Sequence, residues 1–241
     1  MDVSFVQYIL YYLTNKLFCK YFPYLNYIIF LYDRKEFIRN DYLAHFGSLI
    51  HFDHKNILKY CNRPFQDVDH MAEILVRNWN TVVDPSDMVF IVGDFAMGRR
   101  EETLPIAKRL NGFKVLVPGN HDHCHPMYDD ASEKYKAYKK LYEEYFDDIV
   151  YDHVYQLEDF ILCHFPYSEG KTDYAGRDFS EWEPMDIGMP LLCGHVHELW
   201  RIKLSPNGTW MFNVGVDAPG NDYAPVSLDY IKTLYFDLLM H

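Results

Sequence analysis

No C-x-x-C pair occurs among the five cysteines, and their number is odd. This argues against a disulfide framework or a structural zinc knuckle and points to a reducing compartment, the cytoplasm. Long apolar runs are missing too. A bilayer span needs about 20 nearly uninterrupted apolar residues, and the uncharged runs from Val3 to Asn15 and from Tyr21 to Tyr32 are both shorter. Basic charge is in the minority, 23 Lys and Arg against 35 Asp and Glu for a net −12, so broad electrostatic capture of nucleic acid is not expected. No internal repeat and no low-complexity linker follows residue 45, which makes one domain the economical count.

What is present is an ordinary globular composition, 49% hydrophobic and 24% charged over 241 residues, long enough to bury a full core. The first 45 residues differ from the rest. They are dense in aromatics, from Phe5 and Tyr8 to Phe30 and Tyr32, interrupted by Asn15, Lys16, Lys20, Pro23 and Asn26. Asp2 stands where a secretory signal would carry positive charge. We read residues 1–45 as an extension outside the core: foremost an appendage packed on the domain or on another subunit, next an interfacial membrane contact through residues 1–32, last an upstream segment that adds little. The core domain is then 46–241.

Within the core, short apolar runs alternate with helical patterns, which predicts an α/β fold. The expected elements are a strand at 46–51, a helix over 71–79 capped by Asp67, and a strand ending at Asp94. A crossover helix over 101–110 stops at Asn111-Gly112 and leads to a strand at 113–117. A helix over 132–146 precedes strands at 149–156 and 160–164. The run Leu191-Leu192-Cys193 is followed by a hairpin of 200–204 with 209–214 across Ser205-Pro206-Asn207-Gly208, and a last helix covers 228–239.

Successive strand ends carry His51, Asp94, Asn120 with His121, His164, and His195 with His197. Two parallel strands joined by a helix place the residues that follow them at one sheet edge, where open α/β folds hold ligands. A lone histidine there is commonly structural; several strand ends finishing on His, Asp or Asn converge as a metal site requires. Imidazole nitrogen mixed with carboxylate and amide oxygen suits Mn, Fe or Zn better than Ca.

Four ordered motifs, Gly93-Asp94-Phe95, Gly119-Asn120-His121-Asp122, Cys163-His164-Phe165-Pro166 and Gly194-His195-Val196-His197, carry a resemblance. Supporting runs are His51-Phe52-Asp53-His54-Lys55-Asn56-Ile57 with Arg63-Pro64-Phe65, and Asn213-Val214-Gly215-Val216-Asp217. Over roughly residues 46–231 the sequence resembles the calcineurin-like metallophosphoesterases, most of all their small bacterial and phage branch. The resemblance implies a four-layer α/β/β/α sandwich and a centre of two divalent transition metals. Asp94 would bridge them, Asn120, His164 and His195 would complete one shell, and His51 and His197 would serve the other. His121 would donate a proton to the leaving oxygen, with Asp122 beside it. The implied reaction is hydrolysis of a phosphomonoester or phosphodiester, in a phosphorylated small molecule or nucleotide, by a metal-bridging hydroxide. Arg99, Arg100 and His123 are further candidates to meet substrate.

Two positions depart from the pattern. Leu49 stands where that family has an aspartate two residues before the first ligand histidine, so one metal site is expected to be weak. Asp53, or Asp41 with His45, could substitute only at unusual spacing. Met97 replaces a second aspartate that would orient the catalytic histidine. The alternative function is therefore a weakened or inactive relative acting as a metal-binding or interaction module. Cys163, Cys193, His70 and His153 read as structural.

Overall fold

The computed structural model describes residues 43–128, 131–167 and 177–240. The aromatic extension, and with it the membrane contact through residues 1–32, lies outside the described residues. Leu43–His241 is one compact unit, and its first strand, β1, is Ala44–Gly47. The core thus begins two residues before the expected boundary, and His45 belongs to it. The strand also stops earlier than expected, because Leu49 and His51 take left-handed backbone angles (φ 55° and 54°) that extended pairing does not tolerate.

The fold is α/β. β1 pairs in parallel with β2 (Met88–Val92), which pairs in parallel with β3 (Phe113–Val117). A short β4 (Asp148–Ile149) adds to β3, and β10 (Val226–Ser227) returns antiparallel to β1, giving the order β10-β1-β2-β3-β4. The single strand expected over 149–156 is split: the chain leaves the first sheet after Ile149, turns through His153 (φ 52°), and enters a second sheet as β5 (Val154–Leu157). That sheet continues with β6 (Phe160–Cys163), β7 (Leu191–Cys193), β8 (Ile202–Leu204) and β9 (Trp210–Asn213) in the order β5-β6-β7-β9-β8. In it β6, β7 and β9 are mutually parallel.

Side-chain alternation assigns each face. Val89, Ile91 and Leu116 point into one apolar cluster with Met71, Leu75 and Trp79 of a helix at Val68–Val82, whereas Phe90, Val92, Val115 and Val117 join Phe160, Leu162, Leu192 and Phe212 in a cluster shared by the two sheets. Ile161, Cys163, Leu191, Cys193 and Met211 face the other way, onto Phe165 and Tyr167. Burying each large apolar side chain is worth about 1.5–3 kcal/mol, so a one-residue register slip would lose both sets at once.

Five α-helices are described. α1 is Ile57–Tyr60 and α2 is Val68–Val82, longer than the expected 71–79 and capped as expected, with the Asp67 carboxylate accepting from the His70 amide at 2.8 Å. The expected crossover helix is α3 (Arg100–Thr103) followed by a 3-10 turn, Leu104–Arg109. Pro105, which has no amide hydrogen to continue an α-helical ladder, sits where the winding changes. α4 is Glu133–Glu143 and α5 is Leu228–Met240. No helix among the described residues is long and apolar enough to cross a membrane.

Candidate metal centre

The carboxyl ends of β1, β2 and β3 in one sheet and of β6, β7 and β9 in the other lead into loops that are laced together. Leu49 N–H donates to Gly93 O at 3.1 Å, His51 N–H to Asp94 O at 3.0 Å, Gly194 N–H to His164 O at 3.0 Å and Val216 N–H to Ser48 O at 3.0 Å. His51, Asp94, His195 and His197 all have left-handed backbones (φ 54°, 57°, 61° and 48°), a conformation that costs a non-glycine residue roughly 1–2 kcal/mol. Strain gathered in this way at one edge is characteristic of functional loops. Two glycines let them approach. A Cβ on Gly119 would lie 2.4 Å from Asp94 Oδ1, and one on Gly93 would lie 2.4 Å from His164 Nδ1.

The side chains converge. Asp94 Oδ2 is 3.6 Å from His51 Nε2 and 3.4 Å from His164 Nε2. Asn120 Oδ1 is 3.1 Å from His164 Nε2 and 3.1 Å from His195 Nδ1. Donor atoms about 2.1 Å from one cation stand roughly 3–3.5 Å apart, so these separations fit a shared ion. His51 gives a sharper test: its ring is buried, and neither nitrogen has a hydrogen-bond partner. Such a group is costly to bury unless something else engages it. His197 stacks on His51 with centroids 5.2 Å apart.

Electrostatics prepare the same groups. Burial would raise the Asp94 carboxyl, but His164, His121 and His51 around it outweigh that and hold it well below the usual range. His51 is pushed well below its ordinary value, chiefly by burial, and His54 falls to about 4, again chiefly by burial. Burial opposes protonation of His164 as well, yet Asp94 beside it moves that ring upward. At neutral pH Asp94 is therefore a carboxylate and His51 and His54 are neutral imidazoles, the forms that ligate.

Hydrogen bonds and ion pairs place the other expected residues. The Asp122 carboxylate, expected in catalysis, is a brace: Oδ2 accepts the Asp94 amide at 2.7 Å and the Gly119 amide at 2.9 Å, and Oδ1 the Phe95 amide at 3.2 Å. Arg100, expected to meet substrate, is buried and committed to Gly98 O, His121 O and the Tyr142 hydroxyl. Arg99 is exposed and pairs with Glu102 at 2.7 Å. His123 lies between Tyr128 and Tyr138, with burial lowering it to about 4. His121, whose amide donates to Asp94 Oδ1 at 2.9 Å, brings its ring within 5.6 Å of His51. Leu49 is fully buried and its side chain lies against Gly215. Asp53 turns toward Gly98, and His45 pairs with Asp87 at 3.1 Å, before the start of β2; Asp41 lies outside the described residues.

Three residues were quoted in motifs without a role. Arg63 grips Asp217 and donates to Leu49 O at 2.6 Å and Ile50 O at 2.9 Å, and Asp217 Oδ2 meets His197 Nδ1 at 3.2 Å. His54 packs 5.0 Å from His51. Sequence spacing gave no sign that Arg63 and Asp217, so far apart in the chain, would meet.

No family model matches the chain. It is 43% identical over 186 residues to the uncharacterized protein MJ1445 of Methanocaldococcus jannaschii, covering 76% of this chain and 86% of that protein. It is 30% identical over 205 residues to the gene 66 protein of Mycobacterium phage L5, covering 81% of this chain and 93% of that one. The gene 66 protein of phage D29 is 31% identical over 202 residues, 80% of this chain and 96% of its own. A crystal structure of AQ665, a protein of unknown function from Aquifex aeolicus, superposes with a TM-score of 0.55 at 28% identity, covering 80% of this chain and 100% of that one.

Proposed function

We propose that this chain, which belongs to one family with MJ1445 and the phage gene 66 proteins, is a metal-dependent phosphoesterase of the calcineurin-like kind. The observation that carries the reading is His51: a buried imidazole with neither nitrogen satisfied, facing a carboxylate that also faces His164. The two sheets sharing one apolar cluster, with α2 on the outer face of the first, support the four-layer sandwich of that family.

In this reading Asn120, His164 and His195 would hold one cation, His51 and His197 a second, and Asp94 would serve both. Two divalent ions of Mn, Fe or Zn character would supply charge to offset the phosphoryl oxygens and acidity for the attacking water. The residues do the rest. The laced loops fix ligand spacing, Asp122 locks the Asp94 and Gly119 turns together, and Arg100 holds the carbonyl of His121. His121, bonded to the centre through its amide, keeps its ring to hand a proton to the leaving oxygen. The substrate is a phosphomonoester or phosphodiester in a small molecule or nucleotide. The free thiols of Cys61, Cys124 and Cys163 are in keeping with work in the cytoplasm.

Leu49 favours a second reading. It removes an anion beside His51 and nothing described replaces it, which describes a relative with one weakened site acting as a metal-binding module. The discriminating experiment is a panel of chromogenic mono- and diesters assayed with added Mn, alongside metal content per chain. Mn-dependent turnover is expected; no turnover on any ester with one ion or none bound would establish the module instead.

A further inference from the structure

Beside the centre lies a second grouping of donors, which shares His197 with the proposed centre and adds two side chains, Cys61 and Glu198, that the proposed reaction does not use. Ligand atoms of Cys61, His197 and Glu198 all lie within 4.8 Å of one another. Cys61 Sγ is 3.3 Å from His197 Nδ1, and the Glu198 carboxylate lies beside both. Each member is held from a different direction. Cys61 ends α1, with its amide donating to Ile57 O and the next amide, of Asn62, donating to Lys59 O. His197 is fixed by its left-handed backbone and by Asp217, and Glu198 follows it in the same loop. We propose that Cys61, His197 and Glu198 form a seat for one thiophilic divalent cation of the zinc class.

The donor chemistry selects the ion. One sulfur, one imidazole nitrogen and one carboxylate oxygen is a borderline-soft set that suits zinc or cobalt and disfavours Mg and Ca. The neighbouring anion, Asp217, is already engaged by Arg63 through both its oxygens, at 2.7 and 2.8 Å, so it is a poor competitor for the ion. The nitrogen used is Nδ1, the one facing Cys61, so an ion in the seat takes the place of its hydrogen bond to Asp217. A neutral ring that ligates through Nδ1 carries its proton on Nε2, and His197 is then lost to the Asp94 centre. That last consequence rests on the proposed phosphoesterase reading; the seat does not.

The test is a cobalt titration of the full chain followed by absorption. The unmodified protein is expected to show a near-ultraviolet thiolate-to-cobalt charge-transfer band that saturates at one equivalent and is displaced by zinc. Cys61→Ser should abolish the band, and Cys19→Ser should keep it. Glu198→Gln should weaken cobalt binding by at least about 10-fold, the lower end of what losing even an indirect metal partner costs. No band in the unmodified protein, or a band that survives Cys61→Ser with a native near-ultraviolet circular dichroism spectrum, overturns the proposal. If Cys61→Ser does not fold, Glu198→Gln decides, and unchanged cobalt affinity rejects the seat. A protein that hydrolyses no ester yet shows the band fails the phosphoesterase reading alone.

Discussion

Arg63 and Asp217 stand 154 positions apart in the chain and are joined by two hydrogen bonds, Nε to Oδ1 at 2.7 Å and Nη2 to Oδ2 at 2.8 Å, with both side chains almost wholly buried. The same guanidinium holds the carbonyls of Leu49 and Ile50, so one residue fixes the first ligand loop and, through Asp217, the ring of His197. Arg63→Met leaves a carboxylate buried without its partner and should cost about 3–5 kcal/mol in urea unfolding. The double variant Arg63→Met/Asp217→Leu should lie closer to the parent than Arg63→Met alone. Equal losses would mean that the pair is not coupled.

His121 donates its backbone amide to Asp94 Oδ1 at 2.9 Å, and in the proposed reaction its ring is the proton donor and not a ligand. His121→Ala is expected to lower turnover by roughly 10²–10⁴-fold, the range of a general acid, with metal content unchanged. Loss of metal on that change, read by elemental analysis, would make His121 a ligand.

Leu49 is fully buried beside the polar centre. An aspartate there would be a buried anion, and in the metal-free protein Leu49→Asp should be destabilised by several kcal/mol. With saturating Mn the same anion gains a cation, so the deficit should shrink and metal affinity and rate should both rise. Thermal unfolding with and without Mn checks this. Equal, tight occupancy of two sites in the unmodified chain would show that no ligand is missing.

Acid should weaken the fold through buried histidines outside the ligand set. His125 is fully buried and accepts the Met127 amide at Nδ1 (3.0 Å), and burial, with His153 beside it, lowers it from 6.5 to about 3. Its folded value lies below its unfolded one, so the unfolded chain takes up the proton first. The contribution is complete above pH 6.5 and is lost as pH falls toward 3, by about 1.4 kcal/mol per pH unit. Unfolding free energy measured between pH 7 and 5 should fall less steeply in His125→Gln. Parallel slopes in the two proteins would assign the acid sensitivity elsewhere.

The strands were legible as short uninterrupted apolar runs such as Val89-Phe90-Ile91-Val92, the pattern of a strand buried on both faces. The ligand positions were legible because each such run stops on a polar residue. What could not be read were the places where backbone angle overrides composition. Ser48 to His51 continues an apolar run, yet left-handed angles at Leu49 and His51 end the strand at Gly47. Ile149 to Gln156 reads as one strand, but a left-handed turn at His153 sends its halves to different sheets. Asp122 and Arg100 were assigned to chemistry for their neighbourhood in sequence. Their hydrogen bonds, which are three-dimensional facts, commit them to bracing.

The crossing at His153 divides the chain's labour in two. Everything before it builds the first sheet apart from β10, and everything from β5 to β9 builds the second. His51, Asp94 and Asn120 come from the earlier half, His164, His195 and His197 from the later. Neither half carries the full set of proposed donors, so an ion held there as proposed would act as a clasp across a seam and favour the joined halves. A backbone nicked near Asp152 should therefore hold as one particle in the presence of Mn and come apart more readily when a chelator removes it.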